Sequence, residues 1–451
     1  MIRHNVRRAA AAGAALALTA GVAITGLSVT QAGAAGVPGV TATSITIGAT
    51  VPLTGIASPG YSEVGKAARA VFDYVNTHGK INGRSVKFVL KDDCYNTPGF
   101  GCEYANPSTV NQTNALLQQG IFATVGSLGT PPQDLVRSML RSAHTPQLFV
   151  NSGSRDWNNP GTYPTLFGWQ PSYITEAKIL GHFVHGKYPG QKFCFLGQHD
   201  DFGADGLIGL QDMHMNPSVS TMYDVANLVI LGSSYFTPII KNFQTSGCKV
   251  VYMDTIPAAT AAALGNAVAL HYAPHWIISS VGADPVTVNN VLKGKIKPDP
   301  EINAISFSYL NATTDTSAQG KLWKAFDIKV LKADHADFPK FTSKTPIDGN
   351  MAYGVAWGVA FAEALRAAGK TFTQASLVHI LLTTSFSQTP SLTPLAYSAS
   401  NHQGLNAGYV TIIKSAAVVG IEAGTIYQAD SNVNASVTVA PKHSKGIPPW
   451  L

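Results

Sequence analysis

The sequence predicts an α/β protein built as two lobes, each a doubly wound parallel sheet. Three observations lead there. A strand, a polar loop, a helix and a second strand follow one another between Ile45 and Asp93, the same alternation continues to about residue 170, and the plan restarts from about Pro171. Strands alternating with helices of this length form parallel sheets with helices packed on their faces.

In the first unit, Ile45 and Ile47 lead into Gly48 to Val51, an apolar run suited to a strand buried on both faces. The loop Pro52 to Tyr61 then offers hydroxyls and glycines at the carboxyl end of the strand, where open α/β sheets bind ligands, so Tyr61 and its neighbours are a candidate site wall. Ser62 is placed to cap a helix whose apolar positions Val64, Ala67, Ala68, Val71, Tyr74 and Val75 recur at helical spacing, with Gly79 at its stop. Asn82-Gly83 turns the chain into the strand Ser85 to Lys91.

The pattern continues with helices around Val110 to Leu117 and Leu135 to Leu140, and with strands Ile121 to Val125 and Gln147 to Val150. These strands end in Gly126-Ser127-Leu128-Gly129-Thr130 and Asn151-Ser152-Gly153-Ser154, two further polar strand ends. In the second set, helix 173–187 precedes strand Phe193 to Leu196, and a strand is expected from Ser218 to Val225. Helix 234–246, strand Lys249 to Met253, helix 258–271 and strand His275 to Ser279 complete it. The last third is less regular: Ile302 to Tyr309 reads as a crossing strand, 317–333, 347–369 and 373–384 as helices, and Tyr409 to Ile413 and Ala417 to Val419 as short strands. Residues 441–451 read as a tail, of which Pro-rich Ile447 to Leu451 is expected to fray.

With 451 residues and 45% hydrophobic content the chain can bury two cores. A net charge of +6, with no Lys/Arg cluster interleaved with aromatics, gives no nucleic-acid footprint. Residues 1–35 have the layout of a secretory signal: Arg3, Arg7 and Arg8, the apolar run Ala9 to Val29, then Ala32-Gly33-Ala34 as a cleavage site. A membrane anchor is the alternative reading, but alanine and glycine dominate the run and a cleavage motif follows. No cysteine lies near that junction to carry a lipid, so the mature chain is expected to be soluble and extracytoplasmic. Four cysteines in an exported protein invite two disulfides, with three possible pairings. Closeness favours a local bridge between Cys94 and Cys102, and Cys194 and Cys248 come within reach if their strands are neighbours. Four buried thiols are the alternative; without paired CxxC spacing, a metal site is less expected.

His199-Asp200-Asp201 could supply metal ligands or a general acid and base, yet at a strand end it reads better as a loop beside a ligand cleft. Ser127, Ser152 and Ser154 could be nucleophiles, but none sits in a G-x-S-x-G elbow. With neither G-x-G-x-x-G nor G-K-[ST] present, no nucleotide cofactor is expected. Tyr353, Trp357 and Phe361, at i, i+4 and i+8, read as a core stripe.

Taken together, ITIGATVPLTG, GKAARAVFDYVNTHGKINGR, KDDCYNTP, VGSLGTPP followed by TPQLFVNSGS, FLGQHDDFGADGL, AYGVAWGVAFAEALRAAG and the closing NHQG resemble the type I periplasmic binding proteins of the leucine/isoleucine/valine class, the solute receptors of ABC importers. The resemblance implies two lobes joined by three hinge crossings, near Trp169-Gln170, Ile305-Ser306 and Leu392-Leu395. Lobe 1 would hold 36–170 plus 306–393 and lobe 2 171–305 plus 394–440. It further implies a monomer that takes a small solute (amino-acid-like, amide or organic acid) between its lobes, passes it to a membrane permease, and uses no cofactor or metal. Carried onto this chain, the ligand residues would be Ser127, Leu128, Thr130, Ser152, Gly153 and Ser154 from the first lobe, with Phe202, Asp254 and Thr255 from the second. Where amino-acid receptors of the family carry an acid for the ammonium group, Ser279-Ser280-Val281-Gly282 has none. Unless Asp254 or Asp200 substitutes, a neutral, aromatic or carboxylate-only solute is expected. A sensor subunit for a signalling receptor and a secreted metal-dependent hydrolase using His199, Asp200 and Asp201 are the other readings.

Overall fold

Two sheets carry the chain, and the first is all parallel. In the computed structural model it runs in the order β2-β1-β3-β4-β5. Its strands are β1 (Ser44–Val51), β2 (Ser85–Asp92), β3 (Thr124–Val125), β4 (Gln147–Val150) and β5 (Leu166–Gly168), with helices α1 (Ser58–Thr77), α2 (Thr109–Gln118) and α3 (Thr130–Ser142) between them. The residues described are 36–97, 99, 101–103, 108–294, 296, 299–371, 373–414, 417–420, 424–432, 436–441 and 445–451. The expected signal segment lies outside them.

After β5 the chain passes to the second sheet through α4 (Tyr173–Lys187). There follow β6 (Phe193–Gln198), α5 (Asp201–Asp212), β7 (Val219–Tyr223), α6 (Val225–Leu231), α7 (Thr237–Thr245), β8 (Val250–Asp254), α8 (Pro257–Ala269), β9 (His275–Ile278), α9 (Pro285–Val291) and β10 (Ile305–Ser308). The chain then returns to the first lobe for α10 (Ala318–Ala333), α11 (Gly349–Ala367) and α12 (Gln374–Thr383), which is followed by the small hairpin β11 (Ser385–Phe386) and β12 (Leu395–Ala396). A third passage brings it back for β13 (Ala407–Lys414), β14 (Ala417–Gly420), β15 (Ile426–Gln428) and β16 (Thr438–Ala440). The second sheet runs β16-β15-β13-β10-β9-β8-β6-β7, with β14 also on β13. It is parallel from β7 to β10 and antiparallel beyond.

The sequence explains most of these elements. The β1 residues Ile45, Ile47, Ala49 and Val51 are all fully buried, as a central parallel strand requires. Helices α1 and α11 cross closely over this sheet because Gly354 has no side chain: a Cβ there would stand 2.2 Å from the Val64 carbonyl oxygen. The expected stripe divides, since Trp357 and Phe361 are core residues packed on Phe72 while Tyr353 reaches the space between the lobes.

Several expectations need correction. Helix α1 begins at Ser58 with a break at Pro59 and Gly60, where Gly60 has φ 79°, and no side chain caps it, so Ser62 is not its cap. Residues 225–231 turn into a helix directly after β7, and the strands β5, β11, β12, β15 and β16 were too short to register as periodic signals. The Ile302 to Tyr309 segment pairs inside the second sheet, between β9 and β13. The tail does not fray: Trp450 Nε1 donates to Glu363 Oε1, the Arg366 guanidinium lies over its ring, and Tyr74 donates to the Leu451 carbonyl at 3.2 Å. The cysteines pair as Cys94 with Cys102 and Cys194 with Cys248. The second pair joins β6 to its neighbour β8, which the sheet order places side by side.

Candidate ligand-binding site

The strand ends of the two sheets face a common cavity of about 180 Å³, far more than the roughly 10–15 Å³ a single water requires. The first lobe contributes Tyr61 and Val64 of α1, Tyr95, Leu128 to Thr130 after β3, Asn151 after β4 and the amino end of α11. From the second lobe come Tyr173 of α4, Phe202 of α5, Ser280 and Val281 after β9, the start of α9, and β10 with Thr411 of β13. The position obeys the rule that open α/β sheets bind at the carboxyl ends of their strands.

Of the residues the sequence singled out, Tyr61, Leu128, Thr130 and Phe202 line this cavity, while Ser127, Ser152, Gly153, Ser154, Asp254 and Thr255 stand behind it. Each of the latter has a local reason. Ser127 Oγ accepts the Thr50 amide at 3.1 Å, Ser154 Oγ donates to Asp201 Oδ2 at 3.3 Å, and Thr255 Oγ1 lies 2.6 Å from Thr260 Oγ1. Gly153 sits under the Tyr173 ring, which a Cβ would meet at 2.8 Å. Asp254 tucks beneath α5, so close that a Cβ at Gly206 would fall 1.6 Å from its Oδ2.

Ser152 and Thr130 meet a partner that the sequence did not suggest. Thr130 Oγ1 lies 2.7 Å from Ser152 Oγ, and the Tyr173 hydroxyl stands 3.2 Å from Thr130 and 3.3 Å from Ser152. The three hydroxyls form a closed triangle, with the Tyr173 ring tilted against Phe202, ring centroids 4.4 Å apart. Tyr309 and Tyr353 complete an aromatic wall; Tyr353 donates within reach of both Asn151 Oδ1, at 3.0 Å, and Gln170 Oε1, at 3.1 Å. Burial raises the Tyr61, Tyr95, Tyr173, Tyr309 and Tyr353 hydroxyls above their ordinary range, so all five are neutral phenols at pH 7.

An acid does approach the Ser279 to Gly282 stretch, from a different element. Glu176 of α4 accepts from the Ser280 amide at 2.5 Å and the Ser280 hydroxyl at 2.7 Å, and burial pushes it up to about 7. Asp254, buried beside it, is held well above the carboxylate range by desolvation and by Glu176. His199, Asp200 and Asp201 point three ways: His199 to Asp224, Asp200 to the Phe202 amide as the α5 cap, Asp201 to Ser154. Among the described residues no group of three or more His, Cys, Asp or Glu side chains is placed to hold a metal ion.

Hydrogen bonds cross between the lobes on both sides of the cavity. Tyr61 donates to the Val281 carbonyl at 3.2 Å, Asn350 Nδ2 to Thr287 Oγ1 at 3.1 Å, and the Gly349 amide to Asp284 Oδ2 at 2.8 Å. On the opposite rim, the Arg155 amide donates to Asp205 Oδ2 at 2.8 Å and Gln198 Nε2 to the Tyr95 hydroxyl at 3.1 Å.

A family model described as periplasmic binding protein matches residues 44–417, most of the chain. The chain belongs to the periplasmic binding protein family. That agrees with the resemblance read from the motifs, and the two-lobed α/β architecture is the type I form of that fold. No curated protein matches the sequence. Among solved structures, a possible leucine/isoleucine/valine-binding protein from Rhodopirellula baltica is 16% identical with a TM-score of 0.67, over 84% of this chain and 96% of that one. A fatty acid ABC transporter substrate-binding protein from Thermomonospora curvata is 16% identical, TM-score 0.68, over 86% and 93%. A solute-binding protein of an ABC transporter from R. palustris, in complex with 4-hydroxybenzoate, is 13% identical, TM-score 0.63, over 90% and 98%. Identities this low establish a shared fold. Among the described residues, no helix of this periplasmic binding protein is long and apolar enough to cross a membrane.

Proposed function

We propose that the protein is an extracytoplasmic solute receptor that captures a small molecule between its lobes, closes over it, and presents it to an ABC permease in the membrane. Residues 1–35 are its secretion signal, and the mature chain acts as a monomer with no chemistry of its own. Lobe 1 takes the first sheet with α1 to α3 and α10 to α12, lobe 2 takes the second sheet with α4 to α9, and the three crossings between them act as the hinge. The observation that carries this reading is the cavity lined from both lobes at the strand ends of both sheets, spanned on either side by inter-lobe hydrogen bonds. Proteins of similar fold include a fatty acid ABC transporter substrate-binding protein, a branched chain amino acid ABC transporter with bound valine and a solute-binding protein in complex with 4-hydroxybenzoate, and this likeness supports the transport reading.

A thermal-shift screen of residues 36–451 against amino acids, short-chain acids, aromatic acids, amides, sugars and divalent metals tests it. A solute at a hundredfold excess over its Kd adds about 2.7 kcal/mol of stability. The reading requires an organic solute that raises the melting temperature and is recovered unchanged; stabilisation by metals alone, or consumption of the compound, defeats it.

A further inference from the structure

β10 and β13 run antiparallel with Ser306 directly opposite Thr411. Residues so paired present their side chains on the same face of the sheet. Both belong to the cavity lining, both are almost wholly buried, and neither Ser306 Oγ nor Thr411 Oγ1 has a hydrogen-bond partner within the protein. Buried hydroxyls are ordinarily paired, so two unpaired ones side by side at a cavity call for a partner that enters it.

The hydroxyls at the ends of β3 and β4 are in the opposite condition. Thr130, Ser152 and Tyr173 have three protons among them and three contacts to fill, and the triangle consumes all of them. The lining contains no lysine, arginine or histidine among the described residues. Its carboxylates are already committed: Asp284 accepts the Thr287 and Gly349 amides, and Asp348 accepts the Met351 amide. An anion therefore meets no cationic side chain, and an ammonium group meets carboxylates serving as helix caps. Besides neutral amides and hydroxyls, the lining presents aromatic faces, from Tyr61, Tyr173, Phe202, Tyr309 and Tyr353, which favour a flat ring.

We infer that the solute is uncharged and ring-bearing, and that its polar edge is anchored on the paired hydroxyls of Ser306 and Thr411 rather than on the hydroxyls that follow β3 and β4. The inference rests on the receptor reading and narrows its cargo. A primary or secondary amide, an N–H lactam or an alcohol on a ring fits, since each can accept from one hydroxyl and donate to the other.

The test uses four probes with the same ring and different charge: benzamide, benzoate, benzylamine and L-phenylalanine, titrated calorimetrically into the mature protein and into the double variant Ser306→Ala, Thr411→Val. Benzamide is expected to bind most tightly, and the double variant to weaken it by about tenfold. Because the two hydroxyls are unpaired, the empty variant should melt no lower than the parent. Tighter binding of any charged probe overturns the inference, as does undiminished benzamide binding by the folded double variant, or no measurable binding of benzamide. A charged or ringless hit in the broad solute screen would leave the receptor reading standing and remove this one.

Discussion

Asp284 holds the amino ends of two helices from different lobes: its Oδ1 accepts the Thr287 amide of α9 at 2.7 Å, and its Oδ2 accepts the Gly349 amide of α11 at 2.8 Å. One carboxylate thus serves as a cap and as a bridge across the cleft. Both helix amino termini favour a negative charge there. In Asp284→Asn the amide oxygen can still cap α9, but an NH₂ group faces the Gly349 N–H and the bridge is lost. The closed form loses on the order of 1–2 kcal/mol relative to the open one, so apparent solute affinity falls roughly 5- to 30-fold while the fold is kept. Unchanged affinity by calorimetry would show that the bridge contributes nothing to closure.

The two disulfides close loops of very different length, with sequence separations of 8 and 54. Cross-linking restricts the unfolded chain more when the loop is longer. Replacing Cys194 and Cys248 by alanine should therefore cost about 4 kcal/mol, and replacing Cys94 and Cys102 about 2.5 kcal/mol. Denaturant titration of the two double variants checks the order; a larger loss from the shorter loop contradicts it.

Tyr173→Phe removes one corner of the hydroxyl triangle and leaves the Thr130 and Ser152 hydroxyls paired with each other, Ser152 still accepting the Ser154 amide. The loss in stability should be about 1 kcal/mol. The proton released on the cavity side gives an incoming carboxylate a donor, so benzoate should bind the variant more tightly than it binds the parent. Equal benzoate binding would mean that the triangle does not restrict the solute.

Much of the fold was legible because its elements are long and periodic. Helices α4 and α10 to α12 lie within two residues of where apolar spacing put them, and β1 is the buried run it reads as. The short strands β11, β12, β15 and β16 were not legible, since two or three residues carry no period and their pairing depends on distant chain. The site was half legible. The strand ends were found, but which hydroxyls face outward is decided by Tyr173, a residue from the other lobe whose hydroxyl seals Thr130 and Ser152. Ser306 and Thr411 could not be matched by eye, because a register linking positions more than a hundred residues apart is fixed only when β13 returns to β10. The tail failed for the same reason: nothing local to Pro448 and Pro449 announces that Trp450 meets Glu363 and Arg366 of α11.

That docking has a measurable consequence. Trp450→Ala removes a part-buried ring, its indole hydrogen bond and the guanidinium stacked on it. The expected loss is about 1–3 kcal/mol. A melting temperature equal to that of the parent would restore the frayed tail.

Stability should also fall as pH rises through neutrality. Burial pushes Asp327 of α10 up to about 8 from an ordinary value of 3.8, against the opposing pull of Lys324. Asp93, Asp205 and Glu176 are likewise raised to about 7 and Asp200 to about 6. An acid whose folded pKa is raised holds its proton more tightly in the folded state. Its stabilising contribution is whole below the unfolded value, near 4, and is lost as pH climbs through the folded value. The window of loss therefore runs from about pH 4 to about pH 8. Asp327→Asn keeps the shape and removes the titration, so the variant should match the parent below about pH 4 and exceed it by several kcal/mol near pH 9. Parallel stability curves for the two proteins between those limits would mean that Asp327 stays ionised in the fold.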